Sequence, residues 1–177
     1  WLATHPACQE RLRREAADVD LLGWRALTAR RLDALTYAGA VIRESLRLCP
    51  PIAYLARCAL DDIELEELTI RKGSHVILVP WCLHMDPQRW PYPARFVPER
   101  FLDGGSGRKH LCSFGMGPRA CVGSSLAMDV LTAAIAALAR VATWSLAPEF
   151  HPEAPTGRYP WNEKTPCRLR VETFHIQ

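Results

Sequence analysis

The stretch Phe114-Gly-Met-Gly-Pro-Arg-Ala-Cys-Val-Gly123 puts one cysteine at the end of a glycine-punctuated loop, immediately before an alanine-rich run that reads as a helix. A helix start presents free backbone N–H groups and partial positive charge, which favours an anion and so favours Cys121 as thiolate. A thiolate can ligate iron or act as a nucleophile. The nucleophile role asks for a paired base such as histidine, and the nearest, His110, is not placed beside the sulfur by sequence. Arg119, two residues before the cysteine, adds a fixed cation whose donors suit a carboxylate. A haem has both requirements: an axial ligand and carboxylates to anchor. Gly115, Gly117 and Gly123 supply tight turns for such a loop.

Other chemistry-bearing residues are less distinctive. Glu44 and Arg47 stand three apart in a run of helical spacing, so they share a face and can pair, although such pairs usually lie on solvated faces. Seven cysteines (Cys8, Cys49, Cys58, Cys82, Cys112, Cys121, Cys167) form no Cys-x-x-Cys pair and no Cys/His cluster, which disfavours a disulfide framework and a structural zinc site. They point to a reducing compartment, taken as cytoplasmic, with most thiols acting as small buried apolar side chains. Lys and Arg number 22 against 19 Asp and Glu, for a net charge of +3 over 177 residues that are 49% hydrophobic. That is the balance of one globular domain, too weakly basic to argue for nucleic acid. No uninterrupted apolar run approaches the roughly 18 residues of a membrane span, and the first residues carry no signal-peptide pattern.

These residues need elements to position them. Residues 6–17, opening at Pro6, read as a short charged helix with a solvated face. A second helix is expected over 33–48, capped by Asp33, apolar along one side and stopped by Pro50-Pro51. A small sheet is expected over 52–80, from strands at 52–60 and 68–79 with Lys72-Gly73 as the turn. Proline density makes 86–105 an irregular packed meander, and Met85, Trp81 and Trp90 are expected to pack there. The cysteine loop spans 112–123, and a helix over 124–141 is expected to bury a stripe of Leu126, Val130, Ala133, Ala137, Leu138 and Val141. The tail 148–177 is rich in proline and polar residues, with a last strand over 167–174. The fold class is mainly α with a small β-sheet, α+β.

FGMGPRACVG resembles the haem-binding signature of the cytochrome P450 superfamily, Phe-x-x-Gly-x-Arg-x-Cys-x-Gly, at each of its fixed positions. By that resemblance Cys121 is the proximal ligand of the iron of haem b (iron protoporphyrin IX), Phe114 packs near the sulfur, Gly115, Gly117 and Gly123 line the loop beneath the macrocycle, and Arg119 pairs with a propionate. The family also has a Glu-x-x-Arg whose partner is an arginine in the meander. Here that implies a structural triad of Glu44, Arg47 and Arg100, the last in FVPERF. Arg57 matches the position that reaches the second propionate, and Ile52, Ala53, Tyr54 and Leu55 resemble the segment that touches substrate. His84, Asp86, Pro87 and Trp90 match a His-x-Asp-Pro-x-x-Trp run implied to be structural.

The resemblance implies the C-terminal part of the cytochrome P450 fold and a haem-thiolate monooxygenase that inserts one atom of O2 into a small apolar substrate. Electrons come, on this reading, from NAD(P)H through a separate redox partner, a ferredoxin or flavoprotein reductase, because no Gly-x-Gly-x-x-Gly fingerprint occurs here. The match starts just after the position of the family's long central helix, with its acid and threonine, so these residues alone are expected to be inactive in oxygen activation. The alternatives are a haem-thiolate isomerase or dehydratase, which needs no electron donor, and a non-catalytic truncated haem-binding fragment. LEELTIRKG departs from the family's usual glycine turn.

Overall fold

Helix α1 (Pro6–Ala17) starts with proline in its first turn and turns Gln9, Leu12 and Ala16 inward, a spacing of three and four that makes one buried stripe. Its outer face carries Glu10 paired with Arg13 at 2.8 Å and Arg14 at 2.7 Å. The computed structural model describes residues 1–19, 28–52, 54–102, 105, 107–150 and 168–174.

The helix expected over 33–48 is two helices, α2 (Ala29–Ala34) and α3 (Thr36–Leu48), separated by Leu35 at φ −81° and ψ 58°. Asp33 does not cap α3. The cap is Glu15, reaching across from α1: its carboxylate accepts from the N–H of Tyr37 at 2.6 Å and of Ala38 at 2.8 Å. A carboxylate at the positive end of a helix satisfies donors that would otherwise be orphaned. α3 is buried on most of its circumference, including Tyr37 to Val41, Glu44 and Leu46 to Leu48, rather than on one side.

The region expected as one sheet resolves into two antiparallel ladders. β1 (Leu55–Cys58) pairs with β4 (His75–Leu78), and between them β2 (Ile63–Leu65) pairs with β3 (Leu68–Ile70). The tight hairpin therefore turns at Glu66-Glu67, and Lys72-Gly73 instead forms the corner from β3 to β4. That corner has a local cause. Gly73 sits at φ +83°, and the Asp62 carboxylate accepts from the Lys72 N–H at 2.7 Å and from Arg71 at 2.8 Å. Ile52 lies outside any strand.

After α4 (Pro80–His84) the chain runs as the expected irregular meander, ending in a single 3-10 turn at Pro98–Phe101. Its anchors are aromatic: Trp90, Phe96 and Phe101 are buried, and Trp90 and Phe101 form a cluster with Ala40 of α3. Met85 packs against the main core, while the indole N–H groups of Trp81 and Trp90 are buried without a hydrogen-bond partner among the described residues.

A short helix, α5 (Gly107–His110), precedes the cysteine loop, and α6 (Ser124–Val141) follows it. The expected buried stripe on α6 is not the one found. Leu126, Val130 and Leu138 are 69%, 57% and 55% exposed, whereas Thr132, Ala136 and Ala139 are buried. Small side chains let α6 approach α1 and α3 closely, and the larger ones are turned outward. By length and a mean hydropathy of 1.5 this helix would also suffice to cross a membrane, but its small-residue face is packed in the core with Leu12, Leu35, Tyr37, Val41 and Leu48. β5 (Ala142–Leu146), which the sequence pattern did not reveal, pairs antiparallel with β6 (Leu169–Phe174). Cys167 and most of the tail lie outside the described residues.

Nor are the thiols mostly interior. Cys112 is buried, Cys8 and Cys49 are half-buried, and Cys58, Cys82 and Cys121 are exposed. Cys58 lies on the more exposed face of β1, together with Ala56. Because Glu15 caps a helix 21 residues away in sequence, E15A is expected to lower stability by about 1 kcal/mol; an unchanged urea midpoint would show that the cap contributes nothing.

Candidate functional site

The site is built outward from the fully buried pair Glu44 and Arg47. Arg47 clasps the carboxylate with two bonds, Nε to Oε2 at 2.7 Å and Nη2 to Oε1 at 2.8 Å. Oε1 also accepts from the Val97 N–H at 2.9 Å and from Arg100 Nε at 3.4 Å. The three residues paired by resemblance are thus brought together, and none of this is the solvated surface pair that spacing alone suggests. The Arg47 guanidinium spends its other donors on the carbonyls of His84 at 2.8 Å and Arg95 at 3.1 Å, and lies 5.1 Å from the Trp90 ring centroid. One arginine therefore ties α3 to α4 and to the meander.

His84, fully buried, extends the tie toward the loop. Its Nδ1 lies 3.0 Å from the Arg47 carbonyl, and its Nε2 accepts from the Cys112 N–H at 3.0 Å with the Cys112 sulfur at 3.3 Å. Burial pushes the imidazole down to about 4 from 6.5, against the pull of its hydrogen bond to Arg47, and burial pushes the Cys112 thiol up. Beside it, the Ser113 hydroxyl donates to the Leu46 carbonyl at 2.9 Å. The start of the loop is fastened to the last turn of α3 directly at Ser113, and at Cys112 through His84 of α4. Ser113 went unremarked in the sequence, and a lone serine beside a cysteine carries no signal that would have found it.

From that anchor the chain folds back on itself. Gly115 and Gly117 take φ +75° and +68°, conformations that favour glycine, and a 3-10 turn covers Gly117–Arg119. The Cys121 N–H then donates to the Phe114 carbonyl at 2.8 Å. Gly123 caps α6, so the sulfur stands just before the helix start, as expected, and is exposed together with Met116 and Val122. His110 is engaged elsewhere, edge-on to Trp90 at 6.1 Å.

Phe114 is half-buried and, with Arg43, Leu111, Ser124, Ser125, Met128 and Asp129, lines a cavity of about 330 Å³ between the loop, α3 and α6. On the other side β1 approaches: Leu55 Cδ1 is 3.7 Å from where a Cβ on Gly115 would lie. Arg57 shares the Leu55 face of β1, and its Nη1 donates to the Ala56 carbonyl at 2.8 Å. Arg119 is exposed and has no ion-pair or hydrogen-bond partner among the described residues. Ile52 and Tyr54 are exposed, and Ala53 lies outside the described residues.

The donor set fits one kind of metal group. Among the described residues no cluster of three or more His, Cys, Asp or Glu could hold a bare ion, whereas a porphyrin brings four nitrogens and asks the protein for one axial ligand. An exposed thiol followed by a helix start, with an unpaired arginine two residues earlier, meets that need. Residues 1–159 match the family model described as Cytochrome P450.

This chain belongs to the cytochrome P450 family. It is 34% identical over 142 residues to a probable cytochrome P450 4s3 of Drosophila melanogaster, covering 78% of this chain and 27% of that protein. To cytochrome P450 714C3 of Oryza sativa it is 37% identical over 154 residues, covering 84% of this chain and 30% of the relative. Among solved structures it superposes on retinoic acid-bound cyanobacterial CYP120A1 with a TM-score of 0.80 and 27% identity, over 97% of this chain and 40% of the other. The chain thus spans well under half the length of these P450 relatives. Its helices and small antiparallel ladders are P450-like, and the expected fold class is the observed one.

The buried imidazole makes the P450 frame acid-sensitive. His84 binds a proton less readily folded than unfolded, so its contribution to stability is complete above pH 6.5 and is lost as pH falls toward 4. The loss amounts to about 3 kcal/mol. Urea unfolding at pH 7 and pH 4 is expected to show a loss smaller by that amount in H84Q; equal losses in both proteins would contradict it.

Proposed function

We propose that this chain carries the proximal, thiolate-bearing part of a haem-thiolate monooxygenase. The observation that carries the reading is the exposed Cys121 just before α6, with its N–H bonded to the Phe114 carbonyl and Arg119, two residues away, exposed and without a partner among the described residues. Haem b held through a thiolate supplies reductive activation of O2, with one oxygen atom delivered to an organic substrate and the other to water.

The protein's own part is to hold the group. Cys121 would supply the protein's one ligand to iron, from a loop that the bond of its own N–H to the Phe114 carbonyl folds back on itself. Arg119 would bind one carboxylate of the macrocycle and Arg57, on the β1 face beside the loop, the other. Gly115 and Gly117, at φ +75° and +68°, let the loop fold back without strain, and Gly123 and Phe114 complete the set that would hold the group. Exposed Ile52 and Tyr54 with half-buried Leu55 would offer an apolar edge to a small apolar substrate, and Ala53 joins them by resemblance alone. Electrons come from NAD(P)H through a separate ferredoxin or flavoprotein reductase, in a reducing, cytoplasmic setting suggested by the cysteine pattern.

A second reading, that these residues hold haem without turning over substrate, is favoured by one feature. Val122 is fully exposed and Leu126, in the first turn of α6, is 69% exposed, so the apolar surface next to Cys121 in sequence is open rather than enclosed as a substrate cavity would be. Turnover assays separate the two readings: a haem-loaded protein with a thiolate spectrum and no product supports the second.

The reduced carbon monoxide difference spectrum of the haem-loaded protein is expected to show the red-shifted thiolate band, and C121A to abolish it. Survival of that band in C121A would end the ligand assignment. R119A is expected to keep the band but to weaken haem retention by about tenfold, the scale of one charge-assisted bond, measured by haem transfer to an acceptor protein.

A further inference from the structure

A guanidinium, an imidazole and two backbone carbonyls form a closed circuit between α3 and α4, and the first amide of the cysteine loop is bonded to it. Arg47 Nη1 donates to the His84 carbonyl at 2.8 Å, and His84 Nδ1 lies 3.0 Å from the Arg47 carbonyl. α3 and α4 are thereby joined by a reciprocal pair of bonds. The remaining ring nitrogen faces the Cys112 N–H at 3.0 Å. An amide is only a donor, so Nε2 must present its lone pair, and a carbonyl is only an acceptor, so Nδ1 must carry the proton. One tautomer satisfies both ends; an imidazolium would set one donor against another at Cys112.

We propose that His84 is a positioning residue, held as the Nδ1–H tautomer, that pins the first residue of the cysteine loop to α3 and so sets where Cys121 is presented. This deepens the haem-thiolate reading and rests on it only for the purpose of the pinning, not for the pinning itself. The path is short in bonds. Cys112 N–H is tied to His84, the Cys112 carbonyl accepts from Gly115 N–H at 2.9 Å, and the Phe114 carbonyl between them accepts from Cys121 N–H at 2.8 Å. Releasing Cys112 loosens the side of the fold-back against which Cys121 is held. The Ser113–Leu46 bond is a second, independent fastening, so the loop should shift rather than unfold. The sulfur of Cys112, at 3.3 Å from Nε2 and buried, fills the space beside the lone pair and keeps water from replacing the imidazole.

The side chain offers a graded test. Glutamine reaches about as far as Nε2 and keeps an acceptor for the Cys112 amide; leucine keeps much of the volume and neither bond. Hydrogen exchange of the Cys112 amide is expected to rise by about tenfold or more in H84L, the scale of one lost buried bond, and to return to within a few-fold of wild type in H84Q, while amides in the middle of α6 are unaffected. In the haem-loaded protein the fraction showing the thiolate carbon monoxide band should fall in H84L and recover in H84Q. Unchanged Cys112 exchange in H84L, or equal acceleration in H84L and H84Q, overturns the proposal. Should H84L fail to fold, nitrogen shifts of the wild-type imidazole decide it alone: a proton on Nδ1 supports it, and a proton on Nε2 overturns it. A wild-type protein that binds haem without a thiolate band would instead defeat the haem-thiolate reading, while the Cys112 exchange pattern would still decide the role of His84.

Discussion

A carboxylate without solvent contact must find its compensation inside the protein, and Glu44 finds it from three directions: the Arg47 fork, the Val97 amide and Arg100. Desolvating such an ion costs several kcal/mol, which is recovered only where geometry is good and every remaining lone pair has a donor. Both oxygens of Glu44 are engaged, and the arginine that clasps them hands its other donors to carbonyls of α4 and the meander. Segments with little regular structure of their own are therefore held at fixed points on α3. Trp90 and Phe101, packed over the same place, keep water from competing with those bonds.

The cysteine loop inherits its position from that frame. It hangs from α3 at Ser113 and from His84 of α4 at Cys112, doubles back over two left-handed glycines and ends at the start of α6. Among the described residues no side chain is hydrogen-bonded to the sulfur as a base, and the one histidine nearby in sequence faces Trp90. What the arrangement leaves is an exposed thiol with an exposed arginine two residues before it. That is a poor design for a nucleophile and a sound one for a fifth ligand to iron, in keeping with membership of the cytochrome P450 family.

The sequence was most readable where each residue's role is local. FGMGPRACVG needs only glycine dihedrals, a helix start and a side-chain charge, all of which travel with the residues themselves. Pro6 and Gly123 likewise marked the starts of α1 and α6 to the residue. Reading failed where a distant partner decides. Glu15 caps a helix it does not belong to, so the break at Leu35 had no nearby signal. A Glu-x-x-Arg spacing looks the same on a wet face and in a core; only Trp90, Phe101 and Val97, some fifty residues on, distinguish them. β5 follows a helical run without a break, and its partner β6 starts at Leu169. On α6 the apolar stripe was taken as the core face because large side chains usually are, yet close helix approach selected Thr132, Ala136 and Ala139 instead.

The central claim is that buried, fully compensated charge at Glu44 holds the frame from which the cysteine loop hangs, and urea unfolding of E44A against wild type tests it most directly. Removing the carboxylate strands Arg47 in the core and deprives Arg100 of its partner, so the account predicts a loss of about 3 to 5 kcal/mol. A loss of no more than about 1 kcal/mol, the scale of an exposed pair, would contradict it.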